Sequence, residues 1–181
     1  MAKLIKPDLI MMVGAPGSGK STWIETMSKY YPNQNVVSRD KIRFSMISDK
    51  DDYFSKETEV FEEFIAQIMK SVKTYDMTII DATHLNKRGR AKVFNRMRHL
   101  LKNVTLRAVV MNTTLETCLE RNAQREGLAL VPESAIVRMY ASFEMPTKEE
   151  GFEQIIIVEE DWKESGNYGT DFHDLGLALR T

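Results

Sequence analysis

Residues 9–23 read LIMMVGAPGSGKSTW: an apolar run, a loop carrying Gly14, Gly17 and Gly19, then Lys20, Ser21 and Thr22. From Gly14 through Ala15, Pro16, Gly17, Ser18 and Gly19 to Lys20 and Ser21, the spacing matches G-x-x-x-x-G-K-[ST] at every fixed position. Glycines let a backbone wrap tightly enough to aim consecutive N–H groups at phosphate oxygens. A helix opening at Lys20 adds the positive end of its dipole. The Lys20 ammonium bridges the outer phosphates, and the Ser21 hydroxyl is a magnesium ligand. Residues 14–22 are thus equipped to bind a nucleoside triphosphate, ATP with Mg2+. Function then turns on the fate of the terminal phosphate, which passes either to water or to the hydroxyl of a second molecule.

Three further groups bear on that choice. In VVSRDKIR, Asp40 follows an apolar run and Arg43 comes three residues later, so a helical turn would put both on one face. An arginine alongside keeps a carboxylate ionised, and an ionised carboxylate can take the proton of a hydroxyl attacking phosphorus. Asp40 is the candidate general base; the alternative is a structural ion pair capping the next helix. In MTIIDATHLN, Asp81 closes another apolar run and either holds the water shell of the magnesium ion or orients Arg43 or the acceptor. Thr83 and Asn86 are candidate substrate ligands, whereas His84 reads as a local hydrogen-bonding residue rather than a catalyst. In LETCLERNAQREG, Arg121 and Arg125 are spaced i, i+4, so one helical face presents two guanidinium groups to the charge that builds on a transferring phosphoryl group. Gly127 ends that helix and Pro132 marks a restart, which predicts a helix–loop–helix lid over about residues 115–145.

These groups need a scaffold that gathers strand ends. Residues 9–13, 35–37, 78–80, 105–111 and 154–158 are short apolar runs that predict buried strands. Helix-length segments lie between them, at residues 20–31, 52–75, 88–101, 115–126 and 133–143. Within the second, Val60, Phe61, Phe64, Ile65, Ile68 and Val72 recur at helical spacing. Trp23 reads as a core anchor rather than a base-stacking ring. Strict alternation predicts an α/β fold, a parallel sheet with helices on both faces and active residues at the strands' carboxyl ends.

The 181 residues are 43% hydrophobic and 28% charged with a formal net charge of −1, so no global basic field draws in nucleic acid. The one cysteine, Cys118, cannot form an internal disulfide, and no apolar run is long enough to cross a bilayer; a cytoplasmic setting without membrane contact is expected. Charge is nevertheless segregated: residues 86–107 hold eight Lys or Arg and no acid, residues 49–63 seven acids against two lysines. Arg88, Arg90 and Lys92 are the candidate contacts to a nucleic-acid backbone, the alternative being a solvated helix face. Only Phe94 interleaves with this basic run, so recognition of one terminal nucleotide is expected rather than stacking along a strand.

Taken in order over residues 9–145, GAPGSGKSTW, SRDKIR, DATHLN and CLERNAQREG with VPESAIVRMYASF resemble the kinase domain of the bacteriophage-type polynucleotide 5′-hydroxyl kinases. Many families share the glycine loop; the Asp-x-x-Arg and the Arg-Asn-x-x-Arg followed by Val-Pro are narrower signals. The resemblance implies a P-loop kinase fold, with a five-stranded parallel sheet and a helical lid, and transfer of the γ-phosphate of ATP to a 5′-hydroxyl end of DNA or RNA. By motif position it implies Lys20 and Ser21 on phosphate and metal, and Asp40 as general base. Arg43 would lie on the phosphate flanking the acceptor nucleotide, and Arg125 with Arg121 on the donor phosphates. Arg88, Thr83, Asn86 and Asp81 complete the expected acceptor side. Residues 1–160 would form the kinase domain and 161–181 a peripheral extension. The Asp-x-Asp-x-Thr motif of a fused 3′-phosphatase does not occur, so kinase activity without phosphatase activity is expected. Asp81 stands one position earlier than its counterpart in the phage family, with Ala82 in its stead, which bears on acceptor recognition because adjacent strand positions face opposite ways. Two other readings stand beside this one: a P-loop kinase of another hydroxyl, on a hydroxymethylated base in DNA or a small metabolite, and a regulatory module that binds nucleotide without transferring phosphate.

Overall fold

All six residues of β1 (Asp8–Val13) are buried, as a strand must be when helices cover both faces of its sheet. The computed structural model describes residues 6–48 and 51–166. After β1 come α1 (Lys20–Ser28), β2 (Gln34–Ser38), α2 (Arg39–Met46), α3 (Glu57–Thr74), β3 (Met77–Asp81) and α4 (Lys87–Leu101). They are followed by β4 (Thr105–Asn112), α5 (Leu115–Ala123), α6 (Glu133–Ala141), β5 (Gln154–Glu159) and α7 (Trp162–Ser165). The five strands pair in parallel in the order β2-β3-β1-β4-β5. Strand order reverses about β1, so the first strand–helix turn opens at the crevice where ligands of such sheets bind.

The period-2 alternation of β1 sorts the core into two layers. Leu9, Met11 and Val13 pack with Val60, Phe64, Ile65 and Ile68 of α3 and with Val93, Phe94 and Met97 of α4. Ile10 and Met12 pack on the other face with Trp23, Ile24 and Met27 of α1 and with Trp162. Trp23 is 2% exposed, the core anchor that its place predicted. Trp162 is buried on the same layer, so the 161–181 extension begins against the core; its residues 167–181 lie outside the described residues.

Several helix boundaries differ from expectation: α1 ends at Ser28 rather than at 31, and α6 at Ala141 rather than at 143. α3 starts at Glu57 rather than at 52. Ahead of it, the Asp51 carboxylate accepts from Ser48 N (2.7 Å) and Ser48 Oγ (2.9 Å), and Asp52 Oδ1 accepts from Phe54 N (2.9 Å). Such side-chain bonds to backbone compete with a helix and hold turns instead. The segment after β2 is a helix of its own, α2. α5 ends at Ala123 rather than at 126, and Gly127, with φ 57°, opens a short 3-10 helix instead of closing α5. Among the described residues no helix is long and apolar enough to cross a membrane.

Candidate active site

The glycine loop adopts the conformation its spacing demands. Gly17 and Gly19 have φ of 84° and 95°, the left-handed region that disfavours side chains. At Gly17 the packing is equally strict, because a Cβ there would lie 2.3 Å from the Cys118 carbonyl oxygen of α5. Gly17→Ala is therefore expected to weaken nucleotide binding by about tenfold or more, since left-handed strain alone is worth ~1–2 kcal/mol. Equilibrium titration with a fluorescent ATP analogue reads this directly. The loop is tied to the sheet on both sides: Gly14 N donates to the Thr83 carbonyl (3.0 Å) beyond β3, and Thr113 Oγ1 donates to the Ser18 carbonyl (2.9 Å) beyond β4.

Lys20 Nζ lies along the loop and donates to the carbonyls of Gly14 (2.8 Å) and Ala15 (2.9 Å). Burial lowers its pKa to about 8; Asp81 is the foremost charge opposing that shift, Asp40 adds to it from further off, and Arg125 works against both. The charges of Asp81, Asp40 and Arg125 thus all act on Lys20. Of the alternatives open for Asp81, orienting Arg43 finds no support among the described residues, where no bond between the two occurs; on β3, next to β1 and in register with Ser38, its charge acts on Lys20.

On the acceptor side Asp40 sits in the first turn of α2, and its Oδ1 accepts from Arg43 Nη1 (2.6 Å) and from the Tyr53 hydroxyl (2.9 Å). Among the described residues Oδ2 has no partner, and the Asp40 side chain is 63% exposed. The Tyr53 phenol is pushed up to about 12, by burial first and then by the Asp40 charge, so it keeps its proton and donates. Arg43 is buried beneath this arrangement. Its Nη2 donates to Glu57 Oε2 (2.6 Å), and its guanidinium lies 4.4 Å from the Tyr53 ring centroid. Arg39 also pairs with Glu57. The i, i+3 geometry expected of Asp40 and Arg43 is present; Tyr53 and Glu57, which complete it, lie too far along the chain for spacing to reveal them.

Two candidate ligands beyond β3 have structural roles. Asn86 caps α4, its Oδ1 accepting from Gly89 N (2.8 Å), so that oxygen is not free for substrate. Arg90, expected at a nucleic-acid backbone, is wholly buried. It makes a two-pronged pair with Glu150 (2.7 and 2.8 Å) and donates to the carbonyls of His84 (3.0 Å) and Glu144 (2.9 Å). Of the rest of the basic run, Arg96 pairs with Glu62 and Arg107 with Asp8, and the Lys92 ammonium sits 4.3 Å from the Phe61 ring centroid. Arg88 is exposed with no partner among the described residues, and with Asn86, Gly89, Ala91, Lys92 and Asn95 it lines a shallow depression at the start of α4.

His84 is buried at φ 45°, stacked on Phe64, with Nδ1 2.9 Å from the Met12 carbonyl; burial lowers its pKa to about 4, so it is neutral and Nδ1 carries the proton that it donates. This is the hydrogen-bonding role expected of it. An unfolded histidine titrates near ~6.5, so as pH falls from there to about 4 the unfolded chain takes up a proton that the folded chain refuses, and stability falls. His84→Asn tolerates the positive φ without titrating. Its urea midpoint should depend on pH less steeply across that window than that of the unaltered chain.

The lid packs on the cradle through a small cluster of Ala15, Leu85, Cys118 and Ile136. Arg121 lies on α5, where a Cβ on Gly19 would be 3.7 Å from its Nη1. Arg125 falls in the turn after α5 rather than on its face, yet its charge still reaches Lys20. Asn122 is buried between them and holds Val131 at both backbone groups, Nδ2 to O (2.7 Å) and Oδ1 from N (3.1 Å), which closes the turn carrying Arg125. Tyr140 of α6 donates to the Thr113 carbonyl (3.1 Å).

A family model described as an AAA domain, AAA_33, matches residues 9–146. The chain belongs to that family. It has a P-loop kinase fold and resembles polynucleotide-kinase relatives. Over 148 residues this domain is 25% identical to a protein of Autographa californica nuclear polyhedrosis virus named "Putative bifunctional polynucleotide kinase/RNA ligase", covering 75% of this chain and 20% of that protein. Its fold matches a chain of the Pnkp1/Rnl/Hen1 RNA repair complex with a TM-score of 0.67, at 24% identity over 78% of this chain and 45% of that one. It also matches a sugar kinase from Janibacter sp. HTCC2649 with a TM-score of 0.62, at 15% identity over 97% and 99% of the two chains. The domain therefore spans a fifth of its viral relative and under half of the repair-complex chain.

Proposed function

We propose that this domain transfers the γ-phosphate of ATP to the 5′-hydroxyl end of a DNA or RNA strand, in the cytoplasm. Asp40 carries the reading: one carboxylate oxygen is pinned by Arg43 and Tyr53, the other is unpartnered among the described residues, and its charge is felt at the phosphate-binding lysine. An anchored carboxylate with a free oxygen beside the triphosphate cradle suits a base for an incoming alcohol. A module that only binds nucleotide has no use for it.

In this reading Lys20 and the loop backbone hold the β- and γ-phosphates, with Thr22 beside them at the start of α1. The donor set fits magnesium. Ser21 offers an exposed hydroxyl and Asp81 a carboxylate whose charge acts on Lys20, oxygen donors of the kind magnesium takes. Bound there, the ion would offset charge on the transferred phosphoryl group. Arg121 and Arg125 meet the same charge from the lid side and help exclude water. Asp40 Oδ2 takes the proton of the 5′-hydroxyl as its oxygen attacks the γ-phosphorus, and the bond from that phosphorus to the β,γ-bridging oxygen breaks to release ADP. Arg43, buried and bonded to Asp40, Tyr53 and Glu57, positions the base rather than meeting the phosphate flanking the acceptor nucleotide. Thr83 borders the acceptor cleft, and Arg88 meets the strand further out.

The sugar kinase of matching length and fold keeps a second acceptor in view, a small polyol or a hydroxymethylated base. Transfer of label from γ-labelled ATP to 5′-OH DNA, 5′-OH RNA, hydroxymethyl-base duplexes, nucleosides and gluconate separates these. Label on oligonucleotide 5′ ends is the expected result. Label on the other acceptors with none on oligonucleotides would replace the proposal by the second reading, and nucleotide binding with neither label transfer nor phosphate release would leave only a binding module.

A further inference from the structure

Two further aromatic rings, Phe44 and Phe54, flank the Tyr53 that bonds Asp40, and neither serves the phosphate chemistry. Phe44 of α2 meets Tyr53 edge to face with centroids 6.3 Å apart, and Tyr53 meets Phe54 edge to face at 4.9 Å. Arg43 lies against the Tyr53 ring and 5.8 Å from the Phe54 centroid. Phe54 is 59% exposed, the most exposed large apolar side chain among the described residues, so burial in the core is not its role. It is nevertheless held in place, its N–H donating to Asp52 Oδ1 (2.9 Å) and its carbonyl accepting from Glu57 N (3.1 Å).

We propose that Phe54, buttressed by Tyr53, is the platform on which the terminal base of the acceptor strand stacks; this rests on the polynucleotide reading and specifies how that acceptor is held. Location points to a nucleobase. The Tyr53 hydroxyl is 2.9 Å from Asp40 Oδ1 and its ring abuts Phe54, which puts platform and base catalyst within the span of one nucleotide. The Arg43 guanidinium lies beside the Tyr53 and Phe54 rings, so a cation backs the aromatic faces, a combination that single-stranded nucleic acid meets in its binding proteins. A ring that stacks on any base face is indifferent to base identity, and it would fix the terminal nucleoside while its 5′-oxygen rests at Asp40 Oδ2. Extended strand binding is not needed: there is one exposed platform ring here, enough for one terminal nucleotide.

Steady-state kinetics of the full chain test this, with a 5′-OH oligonucleotide, the same oligonucleotide with an abasic 5′-terminal residue, and ATP varied separately. Phe54→Ala should raise KM for the base-bearing oligonucleotide roughly 5- to 150-fold, the range of one lost base–aromatic stack. The loss should fall on KM rather than kcat and leave KM for ATP unmoved, and Phe54→Trp should restore it. On the abasic oligonucleotide the unaltered chain and Phe54→Ala should behave alike. An unchanged KM on the base-bearing acceptor would overturn the platform and leave the kinase standing. So would an equal loss on both acceptors, which would mean a disturbed loop. Failure of the unaltered chain to label any oligonucleotide would overturn both.

Discussion

Asp40→Asn should lower kcat about 10²- to 10⁴-fold on the acceptor that the unaltered chain phosphorylates, with ATP affinity almost unchanged. The substitution keeps the size of the side chain, and its amide oxygen can still accept from Arg43 and Tyr53. What it cannot do is receive a proton. The loop residues that hold nucleotide, from Gly14 to Thr22, are untouched, and Arg43 keeps its bond to Glu57. Single-turnover transfer measured alongside binding of a fluorescent ATP analogue separates the two effects. A loss of less than tenfold would make Asp40 a structural ion pair at the start of α2 and remove it from the chemistry. Retained transfer with weakened nucleotide binding would point the same way.

Arg90→Ala should destabilise the fold by about 3–5 kcal/mol, the usual cost of removing one member of a buried ion pair. The Arg90 and Glu150 side chains are 0% and 4% exposed, so the carboxylate left behind could not be rescued by water. Two carbonyls, of His84 and Glu144, would lose their donor at the same time. The double change Arg90→Met with Glu150→Leu removes both charges together and should recover part of the loss. Urea denaturation of the three chains measures it. A midpoint for Arg90→Ala close to that of the unaltered chain would mean that water reaches Glu150 and that the pair is not a structural staple.

The parts that could be read from sequence are those whose cause is local. The glycine loop fixes its own backbone through Gly17 and Gly19, and Asp40 and Arg43 need only one helical turn to meet. The five strands announced themselves as apolar runs because both faces of the sheet are covered. What could not be read depends on partners distant along the chain. Arg90 looks like its neighbour Arg88 in the basic run, and only the arrival of Glu150, sixty residues on, separates a buried staple from an exposed cation. Asn86 looked like a ligand because a helix cap and a substrate-binding amide use the same atom. Glu57 and Tyr53 lie in the acidic stretch, where nothing local marks them as partners of Arg43 and Asp40. Asn122 carries a signal in hindsight: an amide one residue after Arg121 on a short helix is well placed to fasten the turn that follows.

Thr113 touches both the phosphate loop and the lid. Its hydroxyl steadies the Ser18 carbonyl and its own carbonyl takes the Tyr140 hydroxyl. If the flap formed by α5 and α6 swings outward, the Tyr140 bond must give way, and the residue set loose is the one that braces the phosphate loop. Lid and phosphate loop thus meet at Thr113 as well as where Ala15 packs with Cys118 and Ile136, so a change in one would bear on the other through this residue too.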